Sequence, residues 1–172
     1  MKTGPMIRYP LWAACLALCC AGVALAEPAP DRPGEEAVAP YAMSNANAGA
    51  TPMADQATFK AFHGKDGVQR VANSMIDRAS TDPRTADIFK AHDLVRVKRT
   101  LGELFCYLLG GPCDYSGRDL KTAHKDLGVQ NADFNAVVED LQWAMNKEGV
   151  PFRAQNKLLA KLAPMQRSVV ER

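Results

Sequence analysis

The sequence predicts an all-α protein built as a small helical bundle. Three observations carry this. Apolar residues recur with the 3.6-residue period in four segments, strand-like alternation is absent, and Gly- and Pro-containing breaks separate the segments.

The helices follow a leader and a linker. Lys2 and Arg8 give a positive start, Leu11 to Val23 is almost wholly apolar, and Ala24-Leu25-Ala26 is a small-x-small cleavage signal. Residues 1–26 therefore read as a secretory signal peptide. The apolar run is short for a membrane span, so no span is expected after cleavage. An anchor at Cys19 or Cys20 is disfavoured by the bulky Leu18. Residues 27–57 are rich in Pro, Ala, Asn and Gly, with Pro28, Pro30, Pro33, Pro40 and Pro52. With little to bury, they are expected to form a disordered linker. Residues 58–172 form the domain, large enough for one core.

In the first helical segment Val68, Val71, Ala72, Met75, Ile76 and Ala79 form one face, and Asp82-Pro83 ends it. Leu94, Val97, Leu101, Leu104, Phe105 and Leu108 form the second, stopped by Gly110-Gly111-Pro112. Phe134, Val137, Val138, Leu141 and Met145 form the third, with Asn131 as N-cap. Gly149 and Pro151 open the fourth, which carries Leu158, Leu159, Leu162 and Val169. Between the second and third lies "LKTAHKDLG". At helical spacing His124 stands four residues after Leu120 and three before Leu127, on an apolar stripe. By spacing alone it is either a core histidine or a ligand.

Composition excludes several functions. The 21 basic residues exceed the 19 acidic ones by the two in the leader, so the mature chain is formally neutral. It has no basic stripe with interleaved aromatics, and no nucleic-acid partner is indicated. There is no Cys-x-x-Cys-His for covalent haem, no zinc spacing and no phosphate loop. Asp114, Asp119 and Asp126 read as solvated carboxylates, and His63 and His92 as exposed polar residues near segment ends.

The order of the punctuation is more informative than any one piece of it. His63-Gly64, Asp82-Pro83-Arg84, Ile88-Phe89, Leu109-Gly110-Gly111-Pro112, Tyr115-Ser116-Gly117-Arg118, His124, Phe134 and Gly149-Val150-Pro151 follow one another over about residues 62–170. This series resembles the group I truncated haemoglobins. The resemblance implies a truncated globin fold, a two-over-two helical sandwich with haem b between the layers and His124 as the iron ligand. It places Phe89 on the porphyrin face, and the same pocket takes in Phe105, Leu120 and Leu141. Lys98 and Arg99 are either partners of the haem propionates or solvated charges.

The departures from the family are as telling. Where relatives carry a tyrosine in the first long helix this chain has Ile76, and where they carry a glutamine in the second it has Leu101; Val97 lies one turn before it. The expected distal wall is aliphatic. Dioxygen gains partial negative charge on binding, and a donor in a dry pocket stabilises it by roughly 1–3 kcal/mol. Carbon monoxide and nitric oxide depend less on a donor. The expected function is an exported, histidine-ligated haem globin for diatomic gases (oxygen, nitric oxide, carbon monoxide). The alternatives are a periplasmic haem carrier and a haem-free helical interaction module. Haem redox chemistry such as nitric oxide dioxygenation or peroxidase activity is open, and no motif names a redox partner. The site is periplasmic or secreted if the leader acts as read.

Cleavage leaves two cysteines, Cys106 and Cys113. On one continuous helix their α-carbons would lie about 10 Å apart, beyond disulfide reach. The Gly-Gly-Pro break can fold Cys113 back. A bridge and two separate thiols are both compatible with the spacing.

Overall fold

The computed structural model describes residue 1 and residues 32–171, so the leader expected over 1–26 lies outside the described residues but for Met1. The described chain contains eight α-helices and no strand. They are α1 (Ala57–Ala61), α2 (Gly64–Ala79), α3 (Ala86–Phe89), α4 (Leu94–Leu108), α5 (Leu120–His124), α6 (Asn131–Lys147), α7 (Phe152–Leu162) and α8 (Gln166–Val169). The long helices α2 and α4 pack together, and α6 and α7 lie against them, α6 meeting α2 and α7 meeting α4. The core between them holds Phe62, Val68, Val71, Phe105, Leu141, Met145 and Leu158. Arg78 donates to the fully buried Asp140 at 2.7 Å, which ties α2 to α6. Burial raises the Asp140 carboxyl above its ordinary range, and Arg78 opposes that.

Local chemistry sets the helix ends. Asp93 caps α4 by accepting from the Arg96 amide at 3.0 Å, and Asp119 caps α5 from the Thr122 amide at 3.0 Å. Asp119 is thus a cap, where the sequence suggested only a solvated carboxylate. For α6 the N-cap is Gln130, one residue before the expected Asn131, because its amide donates to Asp133 at 2.9 Å. His63 stands in the left-handed region at φ 62° and Gly64 follows at 69°. The turn into α2 asks for glycines. His63 also donates a ring hydrogen bond to the Glu148 carbonyl at 3.1 Å.

The break after α4 is closed by a disulfide between Cys106 and Cys113, with α-carbons 5.8 Å apart. The two glycines between them are required. A Cβ on Gly110, at φ 78°, would lie 2.6 Å from the Met53 carbonyl. One on Gly111 would lie 2.5 Å from the Phe59 ring and 2.7 Å from the Cys106 sulfur.

The linker differs from the disordered tether its composition suggested. Residues 32–56 lie along the α4 side of the domain. Glu35 is buried, its side chain 4% exposed, and it accepts from the Arg99 guanidinium. Arg96 lies 3.5 Å from the same carboxylate. Tyr41 donates to the Ser116 carbonyl at 2.8 Å, Asn45 accepts from the Tyr115 amide at 2.7 Å, and Ala48 is fully buried. Low hydrophobicity removes the drive to form an independent core. It does not prevent a segment from supplying the carboxylate and amides that a neighbouring surface lacks.

Candidate functional site

An apolar cavity lies between the layers. α2 supplies Met75 and Ile76, α4 supplies Val97, Thr100, Leu101, Leu104 and Phe105, and α3 ends in it with Ile88 and Phe89. From the other side come Leu120, Ala123 and His124 of α5, Leu127 and Val129 of the following turn, and Phe134, Val137, Val138 and Leu141 of α6. Leu162, Met165 and Val169 close it from the C-terminal end. Of the residues expected at the site, Phe89, Ile76, Val97, Leu101, Phe105, Leu120, Leu141 and His124 all line this cavity.

Lys98 and Arg99 do not. Lys98 pairs with Asp77 at 2.5 Å, and Arg99 pairs with Glu35 and with Glu103 at 2.9 Å while donating to the Ser116 hydroxyl at 2.7 Å. The helical period explains the correction. Val97 and Leu101 share the inner face of α4, and the two residues between Val97 and Thr100 point away from it.

His124 ends α5, and the helix does not continue to Leu127 as the spacing suggested. Asp126 and Gly128 take positive φ, 64° and 67°. The Glu171 carboxylate accepts from both of their amides, at 2.9 Å for Gly128. The C-terminal segment thereby holds the turn, with α8 packed on α5. Leu127 still reaches the cavity, by a turn and not by helical register.

The histidine itself is well defined. Nδ1 lies 2.8 Å from the Leu120 carbonyl, which can only accept, so Nδ1 carries the proton. Nε2 is left with its lone pair. Burial lowers the pKa of the ring below the ordinary value, the hydrogen bond to the Leu120 carbonyl opposes this, and proximity to His92 adds to the lowering. A neutral imidazole with Nδ1 held by a carbonyl is the state a metal ligand needs.

The other polar groups of the lining are occupied. Thr100 donates back to the Arg96 carbonyl at 2.9 Å, and Tyr115 donates to the Arg118 carbonyl at 2.8 Å. Asp133 accepts from Gln130. Burial holds the Tyr115 phenol near 12, fully protonated at neutral pH. No group of three or more metal-binding side chains occurs among the described residues. An apolar slot with so few ligating side chains cannot hold a bare metal ion, which needs several ligands. It suits a flat apolar macrocycle that brings its own equatorial donors, as haem does.

His92 is the lining residue the sequence reading missed, having been taken for an exposed polar residue. It is exposed and also lines the cavity, because α3 and α4 meet there. Met165 and Val169 were missed as pocket residues because they follow Pro164, where helical register restarts. Phe134 and Val137 lay on a visible stripe, and only the pairing of layers turns that stripe toward a cavity.

Comparison with known proteins agrees with this geometry. A family model described as bacterial-like globin matches residues 57–171. The group 1 truncated hemoglobin of Mycolicibacterium paratuberculosis is 28% identical over 102 residues, covering 59% of this chain and 75% of that protein. The crystal structure of truncated hemoglobin from Tetrahymena pyriformis in its Fe(III) form aligns with a TM-score of 0.64 at 22% identity, covering 67% of this chain and 98% of the other. The cyanomet structure of the 2/2 hemoglobin from Synechococcus, with covalently attached heme, aligns at 0.62 and 20% identity over the same shares. These structures establish the two-over-two helical fold for this chain.

Proposed function

This chain belongs to the bacterial-like globin family, and from that premise we propose that it binds haem b through His124 and takes up diatomic gases against a donor-free distal wall. Haem supplies the iron and its gas chemistry; the chain supplies the ligand, the slot and the exclusion of water. One observation carries the reading: His124, which lines the apolar cavity, has Nδ1 fixed on the Leu120 carbonyl and Nε2 without a hydrogen-bond partner among the described residues.

The wall opposite α5 decides gas preference. Ile76, Val97 and Leu101 are aliphatic, and the Thr100 hydroxyl spends its proton on its own helix. No side chain of that wall can donate to a ligand. Oxygen forgoes roughly 1–3 kcal/mol, about one or two decades in affinity, which carbon monoxide and nitric oxide largely do not need. Export is part of the proposal. The leader pattern over 1–26 supports it, and so does the Cys106–Cys113 bridge, a linkage that persists in oxidising compartments.

Titration of the purified chain with ferric haem tests the reading. A saturable Soret band at one haem per chain is expected, with the ferrous form binding carbon monoxide tightly and oxygen weakly. A chain that takes up no haem, or holds oxygen as tightly as carbon monoxide, overturns it. Export is tested separately by terminal sequencing of the processed protein, with Glu27 expected first.

A further inference from the structure

The haem reading leaves a chemical problem at the cavity edge. Haem b carries two carboxylates, and an apolar slot cannot accept them, since an unpaired buried charge is strongly disfavoured. They must leave where the lining meets water and, by preference, beside a donor. Among the described residues no lysine or arginine lines the cavity. The arginines and the lysine of α4 are already held: Arg96 by Glu35 and Asp93, Arg99 by Glu35 and Glu103, Lys98 by Asp77. The one carboxylate of the lining, Asp133, would repel them.

Five polar side chains line the slot: His92, Thr100, Tyr115, His124 and Asp133. Four are committed, three to nearby carbonyls and Asp133 to the start of α6. His92 is the exception, with no side-chain hydrogen bond or ion pair among the described residues. It is solvent-exposed, and it stands in the connector where α3 ends and α4 begins.

We propose that His92 receives the haem carboxylates: among the described residues it is the only uncommitted side-chain donor on the cavity, and it is both exposed and part of the lining. This rests on the haem reading above. A donor at the rim makes no demand on the iron. It orients the macrocycle edge-out, and it slows the loss of the cofactor without altering the axial ligand set.

The test uses the full, haem-loaded chain and follows transfer of ferric haem to excess apomyoglobin. His92→Leu is expected to release haem about fivefold faster, the size of one part-exposed hydrogen bond to a carboxylate. His92→Lys, which keeps a side-chain donor at this position, should stay within about twofold of the native chain. With the dimethyl ester of haem, whose carboxylates are blocked, native and His92→Leu proteins should release at equal rates. Equal rates with native haem overturn the proposal. So does a change of ferric spin state on His92→Leu, which would make His92 an axial ligand. A native chain that forms no Soret band overturns the underlying haem reading, an outcome distinct from both.

Discussion

The two walls of the cavity are built in opposite ways. The α2–α4 wall consists of helices of 16 and 15 residues, pressed together along their length and backed by the main core. Ile76, Leu104 and Phe105 on it are almost wholly buried. The α5 wall is a five-residue helix with no fully buried residue, held by one cap, by α8 and by the Glu171 carboxylate. Packing rigidifies the first, whereas a few polar contacts position the second. A stiff aliphatic wall can select a small ligand by shape and by the lack of a donor. Under the proposed haem ligation the lighter wall contributes a single directed bond, from a histidine fixed at Nδ1.

Removing that bond should break the contrast most severely. His124→Ala leaves the slot without a ligand and should abolish stable haem binding, with added imidazole restoring a Soret band. A variant with the native spectrum would move the ligand elsewhere. Next in size is the clamp at the end of the stiff wall. The Cys106–Cys113 bridge closes a short loop, and its replacement by two alanines should lower stability by roughly 2–3 kcal/mol in urea unfolding. An unchanged midpoint would show that the Gly-Gly turn and the core hold α4 without it.

Ile76→Tyr tests what the stiff wall lacks. A phenol donor there should slow oxygen dissociation by about one to two decades and barely change carbon monoxide release. Equal oxygen rates would mean that residue 76 does not face the ligand. The smallest effect concerns the arm that braces α4 from outside. The hydrogen bond from Arg99, assisted by the charges of Arg96 and Arg32 and opposed by burial, holds the Glu35 carboxyl below its ordinary 4.5. The contribution of a lowered carboxyl is full above the ordinary value and is lost as pH falls through the folded value. Protease protection of residues 32–56 should therefore be flat above the ordinary 4.5 and fall only as pH drops below it. Glu35→Gln should weaken docking by about 1 kcal/mol at neutral pH and flatten much of the acid response. Protection unaltered by the substitution would leave the arm held by Tyr41 and Asn45 instead.

The sequence by itself determined the class of the fold, four of its main helices and which residue of α5 to examine, His124, which lines the cavity. Each of those is written in local terms: a 3.6-residue stripe, a Gly-Gly-Pro stop, and one histidine in a series of motifs at the right separations. The aliphatic character of Ile76, Val97 and Leu101 was equally legible, since a side chain that cannot donate cannot do so in any fold. Tertiary structure decided the rest, because it depends on partners distant in the chain. Lys98 and Arg99 could be propionate partners on paper; Asp77, Glu35 and Glu103 claim them in space. The linker composition gave no sign that Glu35 would be buried against two arginines of α4, more than 60 residues away. The register of His124 ended at Lys125 because Glu171, from the other end of the domain, holds the following amides. His92 became part of the cavity only when the α3–α4 connector folded to its edge. Periodicity reports which face of a helix is apolar, while charge pairing, caps from distant residues and cavity rims arise only once the layers have met.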